Sequence, residues 1–183
     1  EFRRVLFRSV YVKQKDSHSC GPISIINALK WLGIKATLDL LPKLKEKCKT
    51  SEKGTEIWEL IQTMNWARKK FKLSTHSIGL FHPLTMKSVE RAIDQGHAVV
   101  LAASWHHPIY KIRENHAFLI LKKYKEGELK LRKSQSPDRF WVANGPGYLY
   151  SEKSTLSTIS KSYLRWICSN KKHGLPAGWI LRR

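Results

Sequence analysis

The sequence predicts an α+β domain, with helices first and a mostly antiparallel sheet after them. Three observations carry this. Up to residue 96 the apolar residues recur at helical spacing, in segments bounded by Pro, Gly and Thr. From residue 98 they gather instead in short runs too brief for a helix, and turn signals such as Glu126-Gly127 separate those runs. Helices followed by strands, rather than alternating with them, are the pattern of a domain whose helices segregate from its sheet.

Each element has its own signal. Ile23, Ile26, Ala28, Leu29 and Leu32 predict a buried helix over 22–33, since Pro is tolerated in a first turn and Gly suits a C-terminal exit. Leu38, Leu40, Leu41 and Leu44 predict a basic amphipathic helix within 37–47, delayed by Pro42. Thr55 is the expected cap of a third helix, with Ile57, Trp58, Leu60, Ile61, Met64 and Ala67 on its apolar face. Thr85 is the expected cap of a fourth, which runs through Val89, Ala92 and Ile93 to Gly96. Strands are expected at 98–103, 116–121, 129–132 and 139–144, then a helix over 156–167 and a short terminal strand in GWILRR.

Composition bounds the rest. With 183 residues the chain suffices for one well-cored domain. Its net charge is +20, but 42% hydrophobic residues and 7 Trp exclude a disordered polycation. The basic residues are spread, with clusters at 68–70, 122–123 and 171–172, and none sits in a nucleic-acid-binding motif, so specific nucleic-acid binding is not expected. Such a field favours acidic partners. No apolar run is long enough for a transmembrane span. The 3 Cys exclude a disulfide-stapled scaffold. Residues 1–9, EFRRVLFRS, are expected to be a non-native or fragment edge, leaving a single domain over 10–183 with a C-terminal extension from about 151. Thiol chemistry suits the cytoplasm and secreted enzymes alike, so both compartments stay open.

Cys20 stands just before a predicted helix start, where unpaired amides and the helix dipole favour thiolate. Gly21 beside it would let a substrate backbone approach. Cys48 and Cys168 lack such surroundings. A cysteine nucleophile needs a base and a group to orient it. His116 opens an apolar strand, and Asn144 ends another before Gly-Pro-Gly, where its amide would accept the imidazole N–H. Asp138 is the rival third member, in a polar stretch after Pro137. Gln14, six residues before Cys20, would join the Cys20 amide in an oxyanion hole. His97, His106 and His107 have no partners at ligand spacing, so no metal or cofactor is expected.

The segment QKDSHSCGPISIINALKWLG resembles the nucleophile segment of papain-like cysteine peptidases, in the form seen in bacteriocin-processing (double-glycine leader) peptidases. TMKSVERAIDQGHAVVLAASW is similar to that group's helix-to-strand unit, and NHAFLILKKY to its catalytic-histidine strand. The resemblance covers roughly residues 14–150. It implies a papain-like fold and a Cys20, His116, Asn144 triad with Gln14 as oxyanion donor. The implied function is cysteine-dependent hydrolysis of a peptide or isopeptide bond through an acyl-enzyme. Two alternatives stay open: an inactive basic binding module for peptide or nucleic acid, and an acyltransferase or crosslinking enzyme using the same triad. Where that group often has Asp just before the nucleophile, this chain has Ser19, and its third member is Asn rather than Asp.

Overall fold

The first element, α1 (Cys20–Trp31), is buried along almost its whole length, with Lys30 the exception. Its start is fixed from outside the helix. Ser19, the residue before it, makes no side-chain cap, and instead Asp16 accepts hydrogen bonds from the amides of His18 (3.0 Å) and Ser19 (2.7 Å). Gly33, in the left-handed region at φ 86°, turns the chain out of the helix. A 3-10 turn (Leu38–Leu40) then leads into α2 (Leu41–Lys47), with Pro42 in its first turn as the sequence suggests. The next helix, α3 (Ile57–Lys70), is not capped by Thr55. Glu56 takes that position without a side-chain bond, and the Thr55 hydroxyl pairs with Thr50 at 2.7 Å.

The computed structural model describes residues 11–81, 83–106, 113–128, 136–145, 156–169 and 176–182; the expected strand at 129–132 and the segment 1–9 lie outside these. After β1 (Ile78–Phe81), Thr85 caps α4 (Met86–Asp94), its hydroxyl accepting from the Ser88 amide as expected. Then come β2 (Ala98–His106), β3 (Arg113–Lys123), β4 (Arg139–Ala143), β5 (Leu156–Ser160), α5 (Lys161–Ser169) and β6 (Ala177–Leu181). The six strands form one antiparallel sheet in the order β1-β6-β2-β3-β4-β5.

This sheet is buried on both faces. Ala98, Val100 and Ala102 of β2 join a core with α1, α2 and α3, whereas Val99, Leu101 and Ala103 join a second core with α4 and α5. Two-sided burial is why the strands read as continuous apolar runs rather than as alternations. No helix among the described residues is long and apolar enough to cross a membrane.

One expectation changes at the C-terminal end. The helix expected over 156–167 is shorter, because 156–160 is a strand. Leu156 and Ile159 fit either period, and pairing with β4 decides between them, from Arg139 opposite Ser160 to Ala143 opposite Leu156. The Arg139 guanidinium adds a bond to the Thr158 hydroxyl at 2.8 Å. The terminal strand is present as expected, β6, and lies between β1 and β2. Both described strands beyond residue 151, β5 and β6, therefore belong to the one sheet, with α5 between them in the chain.

Among the described residues one polar side-chain atom is left over in the core. The Ser24 hydroxyl, on α1 one turn beyond Cys20, is buried without a hydrogen-bond partner. A buried unsatisfied hydroxyl costs stability, so Ser24→Ala is expected to stabilise the protein by about 1 kcal/mol. That corresponds to a rise in Tm of roughly 2–4 °C for a chain of this size, measured by thermal unfolding. A lowered Tm would mean that the hydroxyl is bonded in solution.

Candidate active site

Asn144 makes the site possible. Its φ of 55° is left-handed, which Asn tolerates better than most side chains, and it ends β4 at Ala143, opposite Leu119 of β3. The edge of β3 at His116 and Ala117 is thus not taken by β4. Cys20 comes to this edge from the start of α1, where the Ala117 amide favours its thiolate form.

The turn at Asn144 aims its backbone carbonyl at His116, with Nε2 2.6 Å from the oxygen. A carbonyl oxygen only accepts, so Nε2 carries the hydrogen and the neutral ring keeps its lone pair on Nδ1. The ring also stacks on Phe118, centroids 5.9 Å apart. This corrects the expected role of Asn144, whose side chain was to take the imidazole N–H. The carboxamide instead faces Gln14. Asn144 Nδ2 donates to Gln14 Oε1 (3.1 Å), and the Gln14 backbone N–H donates to Asn144 Oδ1 (3.2 Å). At its other end, Gln14 Nε2 donates to the Asp16 carbonyl at 2.6 Å.

Gln14, His116 and Asn144 are therefore joined by direct hydrogen bonds, and Cys20 is linked to them electrostatically, through the amide of the residue after His116. Asp138 is not part of this group. It precedes β4 at the end opposite Asn144, more than half exposed, with its carboxylate 3.7 Å from Lys161 Nζ. Gly21 also has a use in packing. A Cβ there would lie 3.2 Å from the Thr55 side chain and 3.3 Å from Leu60, so the missing side chain lets α1 pack against the start of α3.

Asp16 was not a candidate in the sequence, although Asp three residues before Ser19 and four before the helix is a recognisable start signal. Its carboxylate accepts from the Ser19 hydroxyl (2.6 Å) and from Lys45 of α2 (2.9 Å) besides the two amides. Burial pushes the Asp16 carboxyl up, but bonds from Ser19, Lys45 and the amides of His18 and Ser19 outweigh it and hold the group well below the usual carboxylate range.

Electrostatics at Cys20 run against the helix-dipole expectation. Burial is the largest influence and pushes the thiol up; the amides of Ala117, Gly21 and Cys20 itself pull it down without overcoming this. Burial likewise lowers His116 to about 4, against its contacts with the Asn144 and Gly145 carbonyls. Near pH 7 the two groups are thus neutral thiol and neutral imidazole. Burial raises the other cysteines too, Cys48 to about 11 and Cys168 to about 12. Among the described residues no cluster of three or more His, Cys, Asp or Glu side chains is arranged to hold a metal ion.

Comparison with solved structures finds a similar fold in the peptidase domain of Streptococcus ComA, a bi-functional ABC transporter involved in a quorum-sensing pathway. The TM-score is 0.55 at 14% identity, and the match covers 94% of this chain and 97% of that one. No curated protein matches. The profile of the peptidase C39 family matches residues 8–140, which include Gln14, Cys20 and His116. With a profile spanning most of its length and a papain-like arrangement of helices on an antiparallel sheet, the chain belongs to the peptidase C39 family of papain-like cysteine peptidases.

Proposed function

We propose that this protein hydrolyses a peptide or isopeptide bond, with Cys20 as nucleophile, His116 as base and then acid, and Gln14 and the Cys20 amide as oxyanion donors. The observation that carries this reading is the fixed imidazole: Nε2 of His116 is held on the Asn144 carbonyl, next to the residue whose amide favours the Cys20 thiolate.

The Cys20 thiol gives its proton to His116 Nδ1 as the sulfur bonds to the substrate carbonyl carbon. The carbonyl π electrons move to oxygen, where the amide donors stabilise the charge. Collapse of this intermediate breaks the C–N bond, and His116 gives its proton to the leaving amine. Water then attacks the thioester, losing a proton to His116, which returns it to the departing sulfur. A neutral resting pair suits this sequence, because charge separates only as the carbonyl is attacked. The +20 net charge favours peptide or protein substrates with acidic surroundings.

Labelling with a peptidyl chloromethyl ketone near pH 6.5, followed by mass mapping, tests the site. Modification is expected at Cys20 and to be lost in His116→Ala, while Cys48 and Cys168 stay unmodified. An unreactive Cys20 would instead favour the binding-module reading, and equal labelling of all three cysteines would exclude a special site.

A further inference from the structure

Asn144 has two chemically distinct attachments in the site. Its backbone carbonyl meets His116 at 2.6 Å, and its carboxamide meets Gln14 at 3.1 Å. We infer that the Asn144 carboxamide and the Asp16 carbonyl together clamp the oxyanion donor Gln14, so that the Asn144 side chain is a positioning residue for Gln14 rather than the group that orients the histidine. The inference rests on the hydrolase reading above.

The clamp has a fixed polarity. The Asp16 carbonyl accepts, so the Gln14 nitrogen must face it, which turns Oε1 toward Asn144, where only a donor fits. Flipping the Gln14 amide would set oxygen against oxygen at Asp16 and nitrogen against nitrogen at Asn144. The amide of Gln14 is held as well, by Asn144 Oδ1, so both the backbone and the side chain of this residue are tied to one partner. Gln14 is 2% exposed and Asn144 is 2% exposed, which keeps water from substituting for either contact. The Asp16 end is itself anchored, since its carboxylate is held by Ser19, by the amides ahead of α1 and by Lys45 of α2. The donor is thereby registered to the same loop that delivers Cys20. An oxyanion donor acts only if it is in place before charge develops, and a clamp of this kind supplies that preorganisation.

Two reactions of the same thiol separate the roles. Alkylation by iodoacetamide needs the Cys20–His116 pair but forms no oxyanion. The burst of p-nitrophenol from p-nitrophenyl acetate needs both the pair and the oxyanion donors. Asn144→Gly keeps the carbonyl and accepts the left-handed φ while deleting the carboxamide. It is expected to slow acylation about 100-fold, the scale of losing one oxyanion donor, with alkylation and its pH profile at the wild-type values. Gln14→Ala is expected to give the same split, and the double variant to be no worse than either single one. Asn144→Asp gives an opposite-sign test. The clamp predicts slowed acylation, because a carboxylate oxygen would face Gln14 Oε1. A side chain that oriented His116 would instead keep acylation at or above wild type.

Equal slowing of alkylation and acylation in Asn144→Gly would overturn the clamp, as would full acylation in Asn144→Asp. If Asn144→Gly fails to fold, the Asn144→Asp and Gln14→Ala arms decide. Wild-type protein with neither a burst nor His116-dependent alkylation would overturn the hydrolase reading itself, an outcome distinct from failure of the clamp.

Discussion

Replacing Cys20 by alanine is expected to lower turnover on the order of 10⁶-fold, the scale on which a hydrolase triad feels loss of its nucleophile, while the protein stays folded. The two outcomes separate because of where Cys20 sits. It is the first residue of α1, 8% exposed, and its sulfur is the end of the side chain that meets the amides of Ala117, Gly21 and Cys20 itself. Alanine retains the helix start, which depends on Asp16 and not on the thiol. Burst kinetics with p-nitrophenyl acetate and a thermal melt, on the same sample, are the measurement. Turnover within tenfold of wild type in the alanine variant would end the nucleophile assignment. In the wild type, the acid limb of acylation is expected near pH 4 rather than near 6.5, because burial brings the His116 base down to about 4 and only below that is it protonated and lost. As the folded value is the lower one, the unfolded chain takes up the His116 proton first on acidification. Stability from this residue is therefore complete above pH 6.5 and falls as the pH drops toward 4.

The site was legible where its signals are local. Cys20 next to Gly-Pro marks a helix start, His116 heads an apolar run, and Asn144 stands before a Gly-Pro-Gly turn, so each could be read from its neighbours. How these residues are joined was not legible. Whether an Asn offers a neighbour its carboxamide or its carbonyl depends on its backbone and side-chain dihedrals together, and in the left-handed turn at Asn144 it is the carbonyl that meets His116. The thiol's electrostatics were misjudged for a related reason. A helix start can be seen in the sequence, but the depth at which α1 is buried comes from the packing of the whole sheet against it. Among the strands, β2 and β3 announced themselves by apolar runs, whereas Ile78–Phe81 and Leu156–Ser160 carry no unbroken apolar run and exist through their partners. The same long-range pairing takes the last strand from a chain end to the interior of the sheet.

That interior position leaves Gly178 no room for a side chain. Gly178 stands in β6 opposite Phe81 of β1 and Leu101 of β2. A Cβ there would lie 2.5 Å from Leu84 Cδ2 and 2.7 Å from the Val100 carbonyl oxygen. The leucine can turn away, but the Val100 carbonyl belongs to a central strand held on both sides by β3 and β6, so relief requires the ladder itself to shift. The loop before α4 is involved too, since the Leu84 amide donates to the Pro176 carbonyl at 2.8 Å. Overpacking against backbone at such a point costs about 3 kcal/mol. Gly178→Ala is therefore expected to lower Tm by roughly 6–12 °C in a chain of this size. Thermal unfolding followed by circular dichroism measures it, with Ser24→Ala, which should move Tm in the opposite direction, as the internal reference. A Tm for Gly178→Ala within about 2 °C of wild type would mean that β6 is not inserted between β1 and β2 in solution. The result bears on the site as well, because β6 holds the edge of β2 opposite the one paired with β3, and β3 carries His116.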